Sequence, residues 1–192
     1  MAGHSKWSKI KRQKGATDAK RGAVLAKMSK AIMVAVKTGG GGDPDTNYKL
    51  KAAIDKAKQE GVPKNNIERA IEKASGAGSD AEELKEVTYE GYLAGGVAVM
   101  VFCATDNTNR TYSDVRTIFG KAGASLGSPG CCAYMFNKTD EGYEPLSTIE
   151  ITDTKDAQTI IKVMEALDDN EDVIDVVSNF EINDSLVADL DL

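Results

Sequence analysis

Lys6, Lys9, Lys11, Arg12, Lys14, Lys20 and Arg21 crowd seven cations into the first 21 residues, opposed only by Asp18. Cations at this density suit a phosphate-bearing partner. Each one placed near a phosphate releases a counterion, so affinity comes from charge and falls steeply with salt. Trp7, the one tryptophan, lies among Lys6, Lys9 and Lys11. Its indole could stack on an unpaired base or wedge at a groove, or simply pack on a helical bundle. His4, the one histidine, stands beside Gly3, Ser5 and Lys6. Acid-base or nucleophilic catalysis needs an orienting partner and a nucleophile, and the local sequence offers neither, so contact with phosphate or base is the better use. Lys27 and Lys30 extend the cationic set along the chain. No convergent acid, base or nucleophile set is legible, and a catalytic role is not expected.

Other constellations have ordinary readings. Gly39–Gly42 lacks the Lys-Ser/Thr that completes a phosphate-cradling loop and precedes Asp43-Pro44, so it reads as a link between helices. The Gly-rich stretch 123–130 reads as a turn into a strand. Asp106-Asn107-Thr108-Asn109-Arg110-Thr111 reads as an Asx-type turn and helix N-cap. Asp168, Asp169, Glu171 and Asp172 lack the spacing and glycine of a calcium loop and read as a helix-end turn. Three cysteines suit a reducing compartment. Cys131 and Cys132 are adjacent, and a bridge between neighbours would be strained. Cys103 sits in an apolar run as a small hydrophobe. One His and three scattered Cys do not assemble a four-ligand zinc site from sequence alone, so no metal or cofactor is expected.

The charge balance sharpens the first observation. Residues 1–78 carry 17 Lys and Arg against 7 Asp and Glu, a net of +10, while 79–192 carry 7 against 23, a net of −16. The overall −6 hides a cationic front and an anionic back. Such a division suggests that the front meets a polyanion. The acidic half would then restrain indiscriminate binding or meet a basic protein. The length suits two small domains with real cores, taken here as 1–78 and 79–192. No stretch approaches the roughly 20 apolar residues of a membrane span, and the N-terminus lacks the apolar segment of a secretory signal.

Periodicity sets the elements that would position these residues. A helix begins near Thr17, with Val24, Leu25, Met28, Ile32 and Val36 as its buried stripe. A second runs from Pro44 or Asp45 to Glu60, and a third, capped by Asn65 or Asn66, ends at Gly76–Gly78. Together they make a small bundle. Strands follow at Val87–Tyr92 and Gly96–Thr105 around a turn at Leu93–Gly96. The second strand is continuously apolar, as a strand buried on both faces should be. A helix from Thr111 to Ala122, a strand from Cys131 to Asn137, a short strand Thr148–Thr152, a helix from Asp153 or Thr154 to Leu167 and a closing strand Val173–Ile182 complete the pattern, before an acidic tail from Asn183. The class expected is α+β: a three-helix domain, then a ferredoxin-like layer with a mostly antiparallel sheet.

Longer motifs carry a resemblance. MAGHSKW at the start, DAKRG, GGGGDP at Gly39, VPKNNIERAI at Val62, YEGYLAGGVAV at Tyr89, TDNTNRT at Thr105, GASLGSPGCCAYMF at Gly123 and NFEI at Asn179 together resemble the YebC/PmpR family, whose mitochondrial relatives are translational activators of cytochrome c oxidase. Members of that family usually add a further α+β domain inserted within the second. Here Phe136 leads through Asn137–Gly142 almost directly to the final strand-helix-strand, so that insertion is missing. Leu93-Ala94 also replaces the Gly-Pro expected at the hairpin. The resemblance implies a cytoplasmic, non-enzymatic regulator of gene expression with no small-molecule substrate and no membrane partner. It is described either as a DNA-binding transcriptional regulator or as a ribosome-associated translation factor acting through rRNA or tRNA.

Overall fold

The computed structural model describes residues 18–76, 84–139, 142–182 and 186, with backbone alone for residues 18–20. Three helices come first: α1 (Asp18–Thr38), α2 (Tyr48–Gln59) and α3 (Lys64–Ser75). Met28, Ile32, Ala35 and Val36 of α1 meet Leu50 and Ala57 of α2 and Ile67 and Ala70 of α3, the stripe that the periodicity predicts. The expected cap at Thr17, the link beyond Gly76 and the acidic tail apart from Leu186 lie outside the described residues.

Two helix starts in this bundle differ from expectation. Helix α2 opens three or four residues later, because Asn47 rather than Asp43 or Asp45 caps it by accepting from the Leu50 N–H at 3.0 Å. The amide of the same side chain donates to the carbonyls of Ala35 (2.8 Å) and Gly41 (2.7 Å), tying the end of α1 to the start of α2. This explains the glycine at 39. A Cβ there would fall 2.0 Å from Asn47 Oδ1, so only a bare α-carbon lets that side chain through. Helix α3 starts at Lys64 with Pro63 at its N-cap and no side-chain cap. Asn47 is 1 % exposed and serves three backbone groups. Asn47→Ala should therefore cost about 2–3 kcal/mol in a urea unfolding curve, the sum expected for a lost cap and stranded carbonyls.

The second half is built on a four-stranded antiparallel sheet of order β3-β1-β2-β7, from β1 (Lys85–Tyr92), β2 (Ala98–Thr105), β3 (Ser125–Leu126) and β7 (Val173–Ser178). Successive strand residues face opposite sides, and β2 shows why its run is apolar throughout. Val97, Val99, Val101 and Cys103 join Val115 and Phe119 of α4 (Thr108–Lys121) and Ile160, Ile161 and Met164 of α5 (Thr154–Asp169). Ala98 and Met100 pack with Cys132, Phe136 and Val177 on the opposite face. The protein is thus α+β, helices first and the sheet-bearing layer after. Its main sheet differs from a ferredoxin-like chain order in that the two central strands are consecutive.

Two strand expectations and one helix start are corrected. The segment 131–135 is a turn and one 3-10 turn, not a strand, because its backbone donors are drawn to Glu90. Only β4 (Phe136–Thr139) is extended there, paired with β5 (Gly142–Pro145) in a hairpin. The closing strand is divided at Asn179. Its Oδ1 accepts from the Ala98 N–H at 2.8 Å and its own N–H donates to the Ala98 carbonyl, which ends β7 against β2. Beyond it, β8 (Phe180–Ile182) runs parallel to β6 (Ile149–Ile151) in a separate pair. Helix α4 begins at Thr108, three residues early, because Asn107 Oδ1 accepts from the Arg110 N–H at 3.1 Å.

Candidate nucleic-acid interface

His4, Lys6, Trp7, Lys9, Lys11, Arg12 and Lys14 lie outside the described residues. Lys20 is in the first turn of α1, and Arg21, on the next, is exposed. The remaining two candidates have been recruited elsewhere. Lys27 is only 7 % exposed and donates to the carbonyl of Asp168, in the last turn of α5. The carbonyls of a final helical turn lack intrahelical partners and carry the negative end of the helix dipole, so an ammonium there is well placed. Lys30 donates to the Glu171 carbonyl at 3.1 Å and pairs with Asp172 at 2.9 Å. These two lysines therefore face the acidic half rather than an open surface, and the physical reason is the run of acceptors from 168 to 172.

Sequence reasoning missed a third lysine of the same contact. Lys56, on α2, donates to the Ile174 carbonyl at 3.3 Å and pairs with Asp175 at 2.5 Å. Three lysines from two helices thus read one continuous segment, 168–175, at the corner between α5 and β7. At the other margin Lys49 pairs with Glu86 (3.2 Å) and the Tyr48 hydroxyl donates to the Thr139 carbonyl (3.0 Å), both near the surface. The available signal was the acidic run itself, which spacing alone assigns to a helix end.

Asp172 is the centre of this contact. It is 1 % exposed, and its carboxylate takes Lys30 (2.9 Å), Arg110 (2.9 Å), the Thr111 hydroxyl (2.8 Å) and the Thr105 hydroxyl (3.2 Å). Burial alone would raise its pKa. Hydrogen bonds from Arg110, Lys30 and Thr111 outweigh that and hold it at about 2. Arg110 also pairs with Asp106 at 2.8 Å, and its own pKa rises chiefly through the Asp172 hydrogen bond. The polar run 105–111 is therefore a turn and N-cap, as expected, that also delivers three donors, from Thr105, Arg110 and Thr111, to Asp172.

The α+β order and the helical front agree with the comparisons. Residues 5–77 match the family model described as the TACO1/YebC protein N-terminal domain. Residues 84–141 match that of the TACO1/YebC second and third domain. A relative from Rubrobacter xylanophilus is 38 % identical over 250 aligned positions, covering 99 % of each chain. One from Geotalea uraniireducens is 40 % identical over 242 positions, covering 96 % of this chain and 97 % of that one. Both carry the name "Probable transcriptional regulatory protein". The crystal structure of a conserved hypothetical protein from Aquifex aeolicus superposes with a TM-score of 0.73 at 34 % identity, over 87 % of this chain and 93 % of that one. The chain belongs to the TACO1/YebC family. The alignment spans 250 positions but takes in 99 % of a 192-residue chain, so roughly 60 positions have no counterpart here. The second-domain match ends at 141, just before β5 opens at Gly142 and within the stretch where the sequence places the missing insertion.

Proposed function

We propose that this chain is a non-catalytic, cytoplasmic regulator of gene expression that binds nucleic acid through the cations from Lys6 to Arg21, with His4 and Trp7 adding hydrogen bonding and stacking. The observation that carries this reading is the charge division. A net of +10 over residues 1–78 stands against −16 over the rest. The acidic half takes up Lys27, Lys30 and Lys56 at one corner. The names of the relatives agree with a regulator. No described helix is long and apolar enough to cross a membrane.

A second reading is translational: contact with rRNA or tRNA on the ribosome. One observation favours it. The exposed side of α3 mixes Lys64, Glu68, Arg69 and Glu72, with Lys64 paired to Glu68 at 3.5 Å. Alternating charge of this kind suits solvent better than a helix reading base edges in a major groove. The test is sedimentation of tagged protein with ribosomes at low and high salt, beside gel shifts on random duplex DNA. Release from ribosomes by salt, with DNA affinity no better than to any polyanion, selects the translational reading. A duplex preferred over ribosomal RNA selects the transcriptional one. Binding to neither sinks both.

A further inference from the structure

Glu90, Cys131 and Cys132 bring three metal-ligating atoms within 4.8 Å of one another in the loop that crosses the end of β1. The sequence gives no hint of this, since the carboxylate lies 41 residues before the thiols. The Glu90 side chain is 6 % exposed and fixed by three backbone donors: Gly130 N–H at 2.7 Å on one oxygen, Cys132 N–H and Ala133 N–H at 2.9 Å on the other. Burial would raise its pKa, but these amides reverse that and keep it lowered, hence anionic. Cys132 is sealed at the floor, its Sγ 3.5 Å from the Val99 carbonyl, while Cys131 is half-buried at the mouth. Gly127 makes room: a Cβ there would sit 2.5 Å from Cys131 Sγ.

We propose that Glu90, Cys131 and Cys132 form a binding site for a thiol-seeking d10 cation of the zinc class. Around a tetrahedral zinc, bonds of about 2.3 Å to sulfur and about 2.0–2.2 Å to oxygen set ligand atoms roughly 3.5–3.8 Å apart. The three atoms here need close only modestly to reach that separation. On binding, the two thiols each lose a proton to solvent, two metal–sulfur bonds and one metal–oxygen bond form, and no electron changes hands. Water completes the tetrahedron on the Cys131 side. Burial, then the neighbouring Cys131 and Glu90, push the Cys132 thiol up to about 12 without an ion. A divalent cation inverts that balance and makes the same crowding favourable. A carboxylate that served only to anchor the loop would need no thiols beside it, and thiols that served only as filling would need no anion within 4.8 Å.

The test uses the full chain, reduced with a phosphine and titrated with Cd2+ and with Zn2+. The expected result is one Cd2+ per chain, a thiolate-to-metal charge-transfer absorption, and release of two protons seen by calorimetry in buffers of different ionisation heat. Cys131→Ser should weaken binding by at least about tenfold and cut the absorption to that of one thiolate. Cys103→Ala, in the core on the opposite face of the sheet, should leave both unchanged. Absence of the absorption, or its full persistence in Cys131→Ser, overturns the proposal. Should Cys132→Ala fail to fold, Cys131→Ser at its half-buried position still decides the matter.

Discussion

Asp172→Ala should lower the unfolding free energy by about 3–5 kcal/mol, the range found when one partner of a buried ion pair is removed. The loss is large because the carboxylate serves elements from both halves. Lys30 reaches it from α1, Arg110 and Thr111 from α4, and Thr105 from the end of β2. Without it, the half-buried Lys30 and the buried Thr111 hydroxyl lose their anionic partner. Acid should reproduce part of the effect. The carboxyl is held at about 2 against an ordinary 3.8. A depressed folded value means stability that is complete above the ordinary value and is lost as pH falls from about 4 toward about 2. That window is worth about 2 kcal/mol by linkage. Asp172→Asn should flatten this acid limb while keeping the shape of the site. Urea unfolding at neutral pH and at pH values across the window measures both. A change under about 1 kcal/mol in Asp172→Ala would show that the contact between the halves is not held by this carboxylate.

How far the sequence could be read depended on whether a residue's partners are local. The β2 run from Val97 to Cys103 is apolar at every position, and only a strand covered on both faces asks for that. The α1 stripe is as plain, since helix partners recur every third or fourth residue. The segment 131–137 misled because its residues suit a strand, while the destination of its amides, Glu90, is 40 residues upstream. Asn179 likewise looks like one polar residue in a strand until its side chain is seen occupying Ala98. The candidate interface divides in the same way. Clustering of charge marks Lys27 and Lys30 as cations but says nothing of which anion they meet. That anion is a helix end and an aspartate about 140 residues on. A separation of 41 and 42 residues hides Glu90 from the cysteine pair in the same way.

The loss of nucleic-acid affinity expected from Lys9→Gln, Lys11→Gln and Arg12→Gln together is on the order of a hundredfold or more at low salt, and its salt dependence identifies the cause. Each phosphate contact contributes about 0.9 to the slope of log affinity against log salt on duplex DNA, or about 0.7 on single strands. Removing three contacts should therefore make the slope shallower by about 2–3. The curves of the triple variant and the unaltered protein should converge as salt rises. Lys27→Ala with Lys30→Ala is the informative comparison, because it removes two cations from the same half of the chain. Those two ammonium groups are already held by the Asp168 carbonyl and by Asp172. Their loss should lower stability and leave the slope where it was. Equal shallowing from the two variants would mean that a polyanion pulls Lys27 and Lys30 away from the acidic corner. Binding would then be coupled to opening of the contact between the halves. An unchanged slope in the triple variant would remove the cationic N-terminal segment from the interface altogether.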